Sequence, residues 1–191
     1  VACAITGAVG SALVVSDASF SGIWFQRGSA IRADGSLELR GVVFADNTAK
    51  YDGGAVYATG SVSIEDGRFD GNTAASNGGA LYLTAGGTLE DVVFTGNTSY
   101  SAAARIDGEV TMTRVTFDGN AGTWYGAIVN HGDLTLVDSV VIANTGSTVG
   151  GIDLRTGGSI YAENVDFGWA ETDNVGGDVY LSANGSRLNY H

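Results

Sequence analysis

Phe69-Asp70-Gly71-Asn72-Thr73-Ala74-Ala75-Ser76-Asn77-Gly78-Gly79-Ala80-Leu81-Tyr82 is the stretch on which the fold turns. Its first four residues recur as Phe44-Ala45-Asp46-Asn47, Phe94-Thr95-Gly96-Asn97 and Phe117-Asp118-Gly119-Asn120, with a weaker copy at Val141-Ile142-Ala143-Asn144. Outlying copies begin at Phe20 and Phe167 and lack the asparagine three residues on. Successive aromatic positions lie 24, 25, 25, 23, 24 and 26 residues apart. The second half of the stretch recurs in phase as Gly53-Gly54-Ala55-Val56-Tyr57, with looser forms at Gly28-Ser29-Ala30-Ile31, Gly126-Ala127-Ile128, Gly150-Gly151-Ile152 and Gly176-Gly177-Asp178-Val179-Tyr180. Two markers kept in step over this many copies define a repeat array.

Between the markers run short alternations such as Leu37-Glu38-Leu39, Val62-Ser63-Ile64, Val110-Thr111-Met112 and Leu134-Thr135-Leu136. Period two with β-branched residues reads as strand, and the Gly, Asn and Asp clusters that bound each run read as turns. No stretch carries a helical stripe with caps. About 24 residues divide into three short strands and three turns, one coil of a right-handed parallel β-helix. About seven coils, stacked roughly 4.8 Å apart, make a rod on the order of 33 Å long. The chain reads as a single all-β domain over 1–191: an irregular first coil over 1–27, regular repeats over 28–180, and a terminal coil end over 181–191.

Stacking assigns the markers their work. Phe44, Phe69, Phe94 and Phe117, flanked by Phe20, Val141 and Phe167, form an interior column with large apolar burial. Asn47, Asn72, Asn97, Asn120 and Asn144 form a ladder whose amides bond the coils on either side, satisfying turn groups that burial would otherwise leave unpaired. The Gly-Gly pairs serve another corner. These residues are read as structural.

Composition narrows the function. The chain has 191 residues, 30 of them glycine and none proline, with 21 acidic against nine basic residues and a net charge of −12. Such a chain repels nucleic acid and anionic membrane at long range. The single cysteine, Cys3, excludes an internal disulfide framework and a cysteine-rich zinc site, and no run of 18 apolar residues spans a membrane. Val1-Ala2-Cys3-Ala4 resembles the end of a lipoprotein signal with its lipid-bearing cysteine; the alternative is an ordinary buried cysteine in the first coil.

The pairing of Phe-x-x-Asn with Gly-Gly-Ala followed by an aliphatic residue resembles the repeat of the polymorphic outer-membrane proteins, the chlamydial-type autotransporter passengers. The best matching segments are Phe44 to Tyr57, Phe69 to Tyr82 and Phe94 to Asn97. The resemblance implies secretion, display at the cell surface and adhesion, and no cofactor. Two departures stand out: no membrane barrel follows the repeats in this chain, and Ser101-Ala102-Ala103-Ala104-Arg105 has lost the Gly-Gly pair.

Candidate chemistry sits where the repeat breaks. Aligned coils place Glu65-Asp66 under Glu90-Asp91. Carboxylates about one coil rise apart suit a retaining glycosidase pair or a calcium site, but no His or Lys joins them in the repeat, and a solvated acidic face is the plainer reading. Arg40 falls in the same column one coil earlier and Arg114 one coil later. His131, in a turn, and His191 have no partner motif. The column Thr88, Thr111, Thr135, interrupted by Ser63 and Tyr161, is too short for an ice-binding face. The segment before each Gly-Gly corner carries Trp24-Phe25, Tyr51, Tyr100 and Trp124-Tyr125. If the coils stack in register, these aromatics share one edge of the rod and offer anchors for a glycan or a cell-surface protein; the alternative is that the rings fold back to cover the corner. Open rod ends invite strand addition, hence head-to-tail assembly of copies into a fibre or surface layer. The expectation is a secreted or surface-displayed binding scaffold and not an enzyme.

Overall fold

The computed structural model describes residues 4–155, 157–168, 173–181 and 187–190. Cys3 and His191 lie outside them. The described residues form parallel sheets stacked as a β-solenoid of about seven turns, without helix. Four ladders of eight, eight, six and five strands run along the rod. The first five coils therefore each contribute four strands where the alternation predicts three. In one coil these are Ile31–Ala33, Ser36–Arg40, Val43–Ala45 and Thr48–Ala49; in the next, Val56–Ala58, Val62–Glu65, Arg68–Asp70 and Thr73–Ala74. The extra strand is two residues long, too short to show a period.

Register is set by the repeat. Phe20, Phe44, Phe69, Phe94, Phe117 and Val141 are partners along the third ladder. From Phe44 to Phe117 the rings are fully buried and lie nearly parallel, with centroids 4.8, 4.7 and 4.4 Å apart. That spacing is the coil rise itself, so the stack and the strand pairing satisfy one geometry. Inward residues of the first two ladders, such as Ile31, Leu81, Ile128 and Leu39, Ile64, Leu89, complete the core. Pairing in register begins ahead of residue 28: Ile5–Gly7, Ala12–Ser16, Ser19–Ser21 and Trp24–Phe25 each join the coil above.

The asparagine ladder uses every valence of its amides. Asn72 Oδ1 accepts from Asn47 N and Nδ2 at 3.1 and 2.9 Å. Its Nδ2 donates to Phe44 O and to Asn97 Oδ1, both at 3.0 Å. Asn97, Asn120 and Asn144 repeat the pattern, and all are fully buried. The last coil departs from expectation. Asn174, seven residues after Phe167, fills the next rung: its Oδ1 accepts from Asn144 N and Nδ2 at 3.0 Å, and its Nδ2 returns to Phe167 O at 3.0 Å. Hydrogen bonding recruits the asparagine although the spacing has changed.

Between the second and third ladders each coil turns through one left-handed residue. That column reads Asp17, Gly41, Asp66, Asp91, Arg114, Asp138 and Asn164, with φ between 50° and 58°. Asp and Asn tolerate this conformation because their short polar side chains bond locally.

Candidate functional site

The acidic patch is built on that turn. Glu65 and Glu90 are register partners on the outer side of the second ladder, and Asp66 and Asp91 are the left-handed residues that follow. Arginines meet them from both sides. Arg40, the partner of Glu65 one coil earlier, donates to Glu38 and Glu65 at 2.7 and 2.6 Å. Arg114 donates to Glu90 at 2.5 Å and to both Asp91 oxygens at 2.7 Å, which holds the Asp91 carboxyl below its ordinary range. Among the described residues no three carboxylate, imidazole or thiol groups converge as a metal site. Glu65, Glu90 and Asp91 are held in exposed inter-coil ion pairs.

The aromatic positions separate into two clusters and an outlier. Backbone bonds put Trp124 directly on Tyr100 and Tyr125 on Ser101; the Tyr100 and Trp124 rings meet edge to face at 6.3 Å. With Asn77, Arg105, Val129, His131 and Arg155 they line a cleft of about 460 Å³. Phe25 and Tyr51 line a smaller one of about 280 Å³ with Gln26, Arg27 and Arg32. Trp24 stands elsewhere, in the column of Thr48, Thr73 and Thr98 on the fourth ladder, and is 52% exposed.

Both clefts open where the Gly-Gly corner meets the outer face of the first ladder. That face presents Arg32, Tyr57, Tyr82, Arg105, Val129 and Asp153 as one column. Cations lie on its rings: Arg27 over Tyr51 and Tyr57, Arg105 over Tyr82 at 5.0 Å, and Arg155 over Tyr125 at 4.5 Å. Asp153 is fully buried beneath Arg155, its ion-pair partner. Burial raises its pKa, and the arginine opposes that. Burial, then the Arg105 charge, lowers the His131 pKa. Burial and a 2.7 Å hydrogen bond to Asp107 push the Tyr82 hydroxyl well above its ordinary range.

Arg105, Arg155 and Asn77 are cleft residues that the motif reading passes over, and His131 is one that it leaves without a partner. A signal for three cleft residues and their partners is present in the chain. Arg32-x-Asp34, Arg105-x-Asp107 and Asp153-x-Arg155 repeat an opposite-charge pair at spacing two, at the same point of the coil. On a strand that spacing keeps both side chains on one face.

The model of the Chlamydia polymorphic membrane protein repeat matches residues 41–59 and 66–84. These segments each run from the turn before a buried phenylalanine, through the asparagine rung and the Gly-Gly corner, to the next strand of the first ladder. Among curated proteins and among solved structures nothing matches the chain. Such repeats suggest an outer-membrane or surface location, and they are not known from enzymes. With the matched repeats falling on successive coils of a parallel solenoid, the chain is a β-helix repeat protein with two segments similar to the polymorphic membrane protein repeat.

Proposed function

We propose that this protein is a surface-displayed binding scaffold, an adhesin module whose ligand seat is the cleft around Tyr100, Trp124 and Tyr125. One observation carries the reading: on a rod otherwise made of repeated structural residues, three aromatic side chains and two guanidinium groups meet in a single concavity of about 460 Å³. Aromatic and arginine side chains in a partly enclosed site are the usual anchors of recognition. Trp124 and Tyr100 keep 42% and 54% of their surface exposed, so the fold does not consume them. The ligand is a glycan or a protein on an opposing cell. The protein acts by binding and not by catalysis, since its best-placed acid pair is held by Arg40 and Arg114.

The test is binding of labelled protein to candidate cell surfaces. Replacing both Tyr100 and Trp124 by Ala is expected to weaken binding roughly thirtyfold, as loss of a two-residue anchor would. Thermal unfolding should remain that of the parent, because both rings stand outside the core. Unchanged binding by the folded double variant would refute the reading.

A further inference from the structure

The two clefts lie on one line. Backbone bonds stack Tyr51, Ser76, Ser101 and Tyr125 in successive coils, which puts Tyr51 and Tyr125 three coil rises, roughly 14 Å, apart along the rod. The space between them is not plain surface. Tyr57 and Tyr82 stand there, edge to face at 5.2 Å. A continuous polar chain also joins the clefts: Arg27 pairs with Asp52, Asn77 donates to Asp52 at 2.9 Å, Arg105 donates to Asn77 at 3.1 Å and to Asp107 at 3.0 Å, and Tyr82 donates to Asp107. Aromatic rings and planar hydrogen-bonding groups therefore alternate along the axis for the whole distance.

The guanidinium charges of this strip are balanced, and Lys50, 5.2 Å from the Tyr51 ring centroid, adds one positive charge at that end. Arg27, Arg32, Arg105 and Arg155 each have an aspartate partner in Asp52, Asp34, Asp107 and Asp153. In three of the four pairs the acid lies deeper, with Asp52 10% exposed beneath Arg27 at 49% and Asp153 0% beneath Arg155 at 30%, and Arg105 and Asp107 are almost equally exposed. The strip thus presents fixed donors and π-faces with almost no net charge, on a chain whose overall charge of −12 repels polyanions.

We infer that the two clefts are the ends of one axial groove, and that its ligand is an uncharged, extended polysaccharide lying parallel to the rod. The inference rests on the binding-scaffold reading and names its ligand class. Pyranose rings stack their C–H faces on exposed tyrosine and tryptophan, and their neighbouring hydroxyls match the paired donors and acceptors of Arg–Asp and Asn groups. A polyanion finds each guanidinium already answered by a carboxylate. A repeating ligand also suits a site that repeats by coil.

Calorimetry with β-1,4-linked oligosaccharides of glucose and of N-acetylglucosamine tests this. At least one series is expected to bind, with affinity rising with chain length until both clefts are spanned and with little dependence on salt. Oligogalacturonate of matched length should bind at least tenfold more weakly. Tyr51→Ala should lower the affinity of the long oligosaccharide by roughly tenfold and leave that of a short one at the Trp124 cleft unchanged. Trp124→Phe, which keeps a stacking face, should retain most binding. Failure of both neutral series to bind, equal binding of oligogalacturonate, or indifference of the long oligosaccharide to Tyr51→Ala each overturns the inference. If cell-surface binding still depends on Tyr100 and Trp124 in that event, the scaffold reading stands and its ligand is a protein or another glycan.

Discussion

Asn97 is the residue on which the logic of the rod is most exposed. Its Oδ1 accepts two hydrogen bonds from Asn72 and its Nδ2 donates to Phe69 O and Asn120 Oδ1, all within 2.9–3.0 Å and away from water. Asn97→Asp keeps the shape but exchanges two donors for a buried carboxylate facing two oxygens. It is expected to cost about 3 kcal/mol or more at neutral pH. The readout is the urea midpoint, and an unchanged midpoint would deny the ladder its structural role. At this scale the sequence was highly legible, because a buried Phe and a buried Asn at fixed spacing each demand a particular environment. It failed at Asn174. There a spacing rule misses a rung that the bonding geometry reaches easily.

At the scale of the element, the corners decide what a coil can accept. A Cβ on Gly54 would land against the carbonyl oxygen of Gly79 in the next coil, and the backbone around both is fully buried. Gly54→Ala must push adjacent coils away from each other and should lower stability by about 3 kcal/mol or more. Gly96 makes the contrast. It is left-handed, at φ +61°, but nothing lies within 4 Å of its missing side chain. Asp46 and Ala143 adopt the same conformation at the same point of their coils, so Gly96→Asn should change stability by no more than about 1 kcal/mol. Thermal unfolding of the two variants side by side checks both expectations. The left-handed column also explains why Asp66 and Asp91 read as chemistry in the sequence. Adjacent acids look like a site, whereas a tight turn that favours Asp produces the same pattern. The cleft was half legible: its aromatics stood out, and its arginines were hidden inside strand alternation, where Arg105 merely replaces the Tyr of Tyr57 and Tyr82.

For the whole molecule, strands pair coil to neighbouring coil throughout, so stability is a sum of local interfaces. Removal of residues 70–94 joins Phe69 to Thr95-Gly96-Asn97 and restores the marker at the seam. The product should fold as a rod one coil shorter, with the strand signal in circular dichroism kept in proportion. Collapse of cooperative unfolding would mean that distant coils support each other. Solenoid architecture was legible because periodicity survives imperfect copies. The division into four ladders was not, since two-residue strands carry no period of their own.

The direction of the inter-coil bonds also has a mechanical meaning. They point along the rod axis, so a load applied between its ends meets them in tension, one coil at a time, and never as a whole sheet in shear. Each coil that peels away frees about 25 residues, roughly 80 Å of extended chain, from a rise of about 4.8 Å. A rod held at one end and gripped in its groove would therefore release chain in steps under a pull, and the remaining coils would keep their shape around the ligand.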